Sequence, residues 1–143
     1  ERPMTDGAAE LAKRFLGSGP APTVDPAALV KRYLERIAAG NIEEVAALYA
    51  EDATVEDPVG GGKVHIGRQS IAEFYRAAEN TQMVTELVQI RVGGRSAAFL
   101  FALTIGAGED RIRIEPIETM TFNGAGEIAS MKAYWSPADI TEV

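Results

Sequence analysis

The sequence predicts an α+β domain, and three observations predict it. Helical spacing of apolar residues is confined to the first half of the chain. The second half alternates apolar and polar residues with period two. Gly93-Gly94 and Asn123-Gly124 punctuate that half at positions that suit antiparallel hairpins. Helices first and strands afterwards indicate α+β rather than a doubly wound sheet.

Taken in order, Thr5 to Leu16 has the spacing of one short helix, with Leu11, Phe15 and Leu16 partly on one side. Gly17-Ser18-Gly19-Pro20-Ala21-Pro22 reads as a linker. Residues 1–24 are thus expected to form an extension, either loosely held or packed on the domain or a second subunit. The domain, residues 25–143, opens at Asp25-Pro26, an N-cap followed by a proline at the first helical position. That helix carries Leu29, Val30, Tyr33, Leu34 and Ile37 on one face and stops at Gly40. Asn41 caps a second helix with Ile42, Val45, Ala46 and Tyr49 inward. A strand over 53–57 ends at Pro58 and Gly60 to Gly62, and a third helix over 70–78 presents Ile71, Phe74, Tyr75 and Ala78. Strands follow over 84–92, 97–105, 111–122 and 127–135, with a hairpin turn at Asn123-Gly124.

Composition narrows the function classes. The chain has 143 residues, enough for one core without staples. Without cysteine it has no disulfide, thiolate metal site or cysteine nucleophile, which suits a cytoplasmic protein. A formal net charge of -7 argues against nucleic acid and against an anionic membrane surface. No apolar stretch reaches membrane-spanning length, and the N-terminus lacks a charged-then-apolar signal pattern. Gly60-Gly61-Gly62-Lys63 lacks the spacing and the hydroxyl residue of a phosphate loop. His65 is the sole histidine and has no second imidazole to share a metal, so no metal site is expected.

Three features carry chemistry. Between 111 and 122 the even positions Ile112, Ile114, Pro116, Glu118, Met120 and Phe122 share one face, and Glu118 alone among them is charged. Such a carboxyl is paired, exposed at an end, or buried and neutral, since burial raises its pKa. Asp57 shares a strand face with Ala53 and Val55 at the mouth of its strand; it either begins a turn or acts as a rim carboxylate able to take a proton from carbon. Tyr33, Tyr49 and Tyr75 each fall on an apolar helix face; they are either core residues with hydroxyls at the surface, or buried phenols that need partners and could bond one another. Phe101 and Leu103 share one strand face, and Trp135 lies near the end of another.

The segment Tyr49 to Gly60 (Tyr-Ala-Glu-Asp-Ala-Thr-Val-Glu-Asp-Pro-Val-Gly), together with His65, Gly67-Arg68, Ile71-Ala72, Phe74-Tyr75-Arg76 and the tail Met131-Lys132-Ala133-Tyr134-Trp135-Ser136, resembles bacterial Δ5-3-ketosteroid isomerases. These belong to the SnoaL-like, or NTF2-like, cone-fold superfamily. The resemblance covers about 26–136. It implies a cone of three N-terminal helices on a curved, mainly antiparallel sheet around an apolar pocket, a homodimer, a steroid-like substrate and no cofactor. It also implies roles for individual residues. Asp57 matches the base that carries a proton from C4 to C6, Tyr33 the main oxyanion donor, and Glu118 the position of a protonated Asp. Tyr49 and Tyr75 match the supporting phenols, and Ile37, Phe74, Val84, Phe101, Leu103 and Trp135 match pocket-lining residues. This family is itself a standard illustration of a carboxylic acid held neutral near pH 7. Two departures stand out: Glu replaces Asp at 118, one methylene longer, and one extra residue separates Asp57 from Tyr75. The same fold also serves polyketide cyclases, epoxide-opening enzymes and non-catalytic binding or dimerisation modules.

Overall fold

A computed structural model describes residues 6–17 and 19–143. Helix α1 (Asp6–Arg14) matches the first predicted helix; its expected first residue, Thr5, and Ser18 of the expected linker lie outside the described residues. Leu11, Phe15 and Leu16 are all exposed.

Helix α2 (Pro26–Ala39) begins where the capping pattern placed it. The Asp25 side chain accepts from Ala28 N, and Gly40 ends the helix in a left-handed conformation at φ 80°. Asn41 caps α3 (Ile42–Ala46) by accepting from Glu44 N. Tyr49 is not helical, contrary to the spacing argument. It opens strand β1 (Tyr49–Glu56), because the chain there pairs in parallel with β7 (Ile128–Tyr134), Tyr49 opposite Ile128. Arg68 secures this entry: its Nε and Nη2 donate to the Tyr49 carbonyl at 3.0 and 2.6 Å. The short strand β2 (His65–Ile66), absent from the sequence reading, pairs antiparallel with β1 and leads into α4 (Arg68–Arg76).

Strands β3 (Met83–Gly93) and β4 (Ser96–Ala107) form the long hairpin expected around Gly93-Gly94. The predicted strand 111–122 is two strands, β5 (Asp110–Ile114) and β6 (Ile117–Phe122), broken at Glu115-Pro116, where proline removes a ladder donor. Both pair with the same β4, β6 along its first half and β5 along its second. On their other side run β7 and then β8 (Ile140–Glu142), a strand the sequence did not reveal. Residues 135–139 between β7 and β8 leave the ladder, turn through the 3₁₀ segment Pro137–Asp139, and are fastened by Ser136 N donating to Asp139 Oδ2 at 2.8 Å.

The sheet order is β2-β1-β7-β6-β4-β5-β8, with β3 along the free edge of β4; every pair but β1–β7 is antiparallel. Helices α2 and α4 pack against it. The core between them contains Val30, Val55, Ile71, Phe99, Met120 and Met131, all at most 1 % exposed. This burial supplies most of the fold's stability, because each such side chain contributes about 1.5–3 kcal/mol when fully removed from water.

Candidate active site

An apolar cavity opens between the helices and the inner sheet face, in two adjoining lobes of about 260 and 240 Å³. Both are lined by Asp57, Phe74, Phe101, Leu103 and Glu118. The first lobe extends past Tyr33 and Tyr75 toward Ile37, Gly40 and Met83; the second runs toward Ile114, Pro116 and Trp135. Together they reach the lower part of the roughly 300–1,000 Å³ range of small-molecule sites.

Glu118 is the buried charge-bearing residue of the core, 3 % exposed. Alternation puts it there: Ile114, Pro116, Glu118, Met120 and Phe122 are all buried, and the phase survives the break between β5 and β6 because the chain remains extended through Pro116. Burial first, and then the charge of Asp57, push its carboxyl well above the ordinary glutamate value; the Tyr33 hydroxyl acts in the opposite direction. Its Oε1 has no hydrogen-bond partner among the described residues. A neutral acid so placed is a donor or acceptor awaiting a ligand atom, since an unmet buried polar group is costly.

Asp57 follows the last residue of β1 and is half-buried. The chain beyond it is tied to β7 by Val59 N donating to Ala133 O at 2.8 Å. That tie brings Asp57 beside Trp135, whose indole Nε1 donates to Asp57 Oδ1 at 2.7 Å. Burial raises the Asp57 pKa, while the Trp135 hydrogen bond and then the charge of His65 lower it again. The deeper and unpartnered Glu118 is the better place for a proton; Asp57, with the Trp135 donor beside it, is the better place for the charge.

The three phenols join in one chain. Tyr75 Oη lies 3.0 Å from Tyr33 Oη and 2.6 Å from Tyr49 Oη. Burial pushes all three phenols up, so they remain protonated. If Tyr49 donates to Tyr75 and Tyr75 to Tyr33, the Tyr33 proton is left over for the cavity. The arrangement can therefore present two donors, a phenol and a carboxylic acid, to one atom, with a carboxylate at the rim.

Of the lining residues expected from sequence, Ile37, Phe74, Phe101, Leu103 and Trp135 border the cavity. Val84 does not. It is 54 % exposed, and Met83 lines the first lobe instead. The phase of β3 decides this. Thr85 turns inward to donate to the Leu34 carbonyl at 3.0 Å, so Val84 shares the outer face with Glu86. Glu86 was the signal in the sequence, since a pocket-facing Val84 would have brought that charge inside. Gly40, Ile114 and Pro116 border the cavity without having been singled out as lining residues. Among the described residues no group of three His, Asp or Glu side chains is arranged to hold a metal ion, and no helix is long and apolar enough to cross a membrane.

Comparison with known proteins agrees with this architecture. A steroid Delta-isomerase from Nocardioides simplex is 47% identical over 113 residues, covering 79% of this chain and 91% of that protein. Among solved structures, the epoxide hydrolase/cyclase-like enzyme SalBIII of pyran ring formation in salinomycin superposes with a TM-score of 0.75 at 26% identity, over 82% of this chain and 95% of that one. RV0760c from Mycobacterium tuberculosis has the same fold, with a TM-score of 0.72 at 20% identity over 81% of this chain and 98% of that one. The model of the SnoaL-like domain matches residues 30–131, and with a curated relative of this similarity across most of its length, the chain belongs to the SnoaL-like family.

Proposed function

We propose that this protein is a steroid Δ-isomerase that moves the C5–C6 double bond of a 3-oxo-Δ5-steroid to C4–C5. Asp57 takes a proton from C4, the electron pair of that C–H bond passes into a dienolate with its charge on O3, and the same carboxyl returns the proton to C6. Tyr33 and protonated Glu118 donate to O3 as its charge grows. A positioned base contributes roughly 10²–10⁴-fold and one oxyanion donor about 10²–10³-fold. The proton ends on the same molecule it left, so the reaction balances without a cofactor. Residues 25–143 are the catalytic unit in this reading, and residues 1–24 an extension.

The observation that carries the reading is Glu118: a carboxyl 3 % exposed, with an unpartnered oxygen, in an apolar cavity that it shares with Tyr33 and Asp57. The identity to a steroid Delta-isomerase supports the substrate class. Titration with a phenolic steroid, whose ring oxygen mimics the dienolate, tests it. Tight binding with perturbed phenol absorbance is expected, together with turnover of 5-androstene-3,17-dione. Neither binding nor turnover would overturn the assignment.

The likeness to SalBIII favours one rival, a polyketide cyclase or epoxide-opening enzyme. Acid-dependent ring closure without steroid turnover would select it. For assembly, we place a second copy of the chain on the outer sheet face. There Leu100 pairs with Ile117 and Ile117 with Tyr134, the last two 49% and 47% exposed. Sedimentation at micromolar concentration should give a homodimer, and a monomer would remove this surface from the account.

A further inference from the structure

The β1–β2 ladder places the sole histidine on the inner side of the sheet. His65 stands directly opposite Val55, a fully buried residue, so its side chain shares the Val55 face. Asp57 lies two residues beyond Val55 and shares that face too. Asp57 follows directly on β1, just past the end of the ladder, so His65 and Asp57 are near neighbours at the same end of it. The next residue, Ile66, is 68% exposed and points away. The imidazole is held by the cavity wall: its ring lies 4.7 Å from that of Phe74, at 41°. Phe74 borders both lobes beside Asp57.

We propose that His65 is a positioning residue for Asp57, an imidazole held on the cavity wall by Phe74 so that it favours the ionised form of the rim carboxylate inside an apolar cavity. This rests on the isomerase reading, in which Asp57 must be charged to work, and adds to it a residue that does not touch substrate.

The surroundings leave His65 this part. Asp57 is approached by the neutral Trp135 indole, by Glu118 from β6 and by Tyr33 from α2, none of which brings positive charge. After the Trp135 hydrogen bond, it is His65 that lowers the Asp57 pKa against burial. On the elements around His65, the other cations are engaged or distant from the cavity. Arg68 is bound to the Tyr49 carbonyl and Glu127, and Arg76 to Glu43. Lys63 is exposed in the glycine loop. The acids Glu51, Asp52 and Glu73 are exposed, and Glu56 faces away from Asp57 by alternation.

The test compares His65→Gln, which removes the charge, with His65→Lys, which fixes it. The readout is the carboxyl ¹³C titration of Asp57 without substrate, assigned by its loss in Asp57→Asn. His65 is half-buried on an edge strand, and circular dichroism establishes that each variant is folded; His65→Thr serves if the Gln variant is not. The Asp57 midpoint should rise by about half a pH unit or more in His65→Gln and return to wild-type or below in His65→Lys. The acid limb of kcat/KM for 5-androstene-3,17-dione should move with it, because that limb reports the base of the free enzyme. An unmoved midpoint in the Gln variant, or a rise that Lys does not reverse, overturns the proposal and leaves His65 as packing for Phe74. If wild-type protein turned over no steroid, the isomerase reading would fail alone, since the carboxyl titration decides the His65–Asp57 coupling without it.

Discussion

Asp57→Asn should reduce isomerisation of 5-androstene-3,17-dione by about 10²–10⁴-fold while preserving the fold and steroid binding. The substitution is nearly isosteric. An amide oxygen can still accept from Trp135 Nε1, so the 2.7 Å contact that positions residue 57 need not be lost. What disappears is the carboxylate basicity that takes the C4 proton. The pH profile separates this from a general loss of structure. Burial raises the Asp57 pKa, so the wild-type acid limb should lie above the ordinary aspartate range, and activity should fall as pH drops through it. The residual rate of the Asn variant should lack that limb. Binding should respond in the opposite sense. The Asp57 charge raises the Glu118 pKa and repels an anion in the cavity, so a phenolic steroid should bind the Asn variant at least as tightly as wild type. Full activity in Asp57→Asn would remove the base from the mechanism.

The position of residue 57 illustrates what the sequence could and could not disclose. Period-two alternation put Asp57 with Val55 and put Glu118 with Met120 and Phe122, and the folded chain keeps both groupings. Alternation is a local property of extended backbone, so it survived even the unforeseen break between β5 and β6. The partners of these residues were less accessible. That Trp135 reaches Asp57 depends on a parallel β1–β7 pairing between segments nearly 80 residues apart, and no local pattern encodes that. The same pairing took Tyr49 out of its expected helix, since Leu48-Tyr49-Ala50 fits either period and long-range ladder bonds decided. Strand β8 was invisible because three exposed residues have no apolar face to alternate. Tyr49 nevertheless joined Tyr33 and Tyr75. The buried phenols required one another's hydroxyls whichever element carried them.

Glu118→Leu should lower turnover by more than tenfold, toward the roughly 10²–10³-fold lost with one oxyanion donor, and should at the same time stabilise the protein at neutral pH. Both effects have one cause. Leucine keeps most of the volume at a position 3 % exposed, but it offers O3 no proton, so the dienolate loses a donor while Asp57 and the phenol chain remain. In wild type the Glu118 pKa is raised in the folded state by burial and by Asp57. A carboxyl of that kind favours folding below the unfolded glutamate pKa, where both states carry the proton, and the advantage is lost as pH rises toward the folded value, because only the unfolded chain can then release its proton freely. Removing the carboxyl removes this burden. Thermal unfolding should therefore show Glu118→Leu gaining on wild type more at about pH 8 than at about pH 5. Unchanged turnover would mean that the 118 carboxyl meets no substrate atom. A stability gain independent of pH would mean that the 118 carboxyl titrates alike in the folded and unfolded chain, and a loss at neutral pH would mean that it is stabilised as the anion. The combination of slower turnover and a gain that grows with pH is what distinguishes a neutral acid kept for catalysis from a core residue that happens to be polar, and it follows from the cost of leaving Oε1 unpartnered until a ligand oxygen arrives.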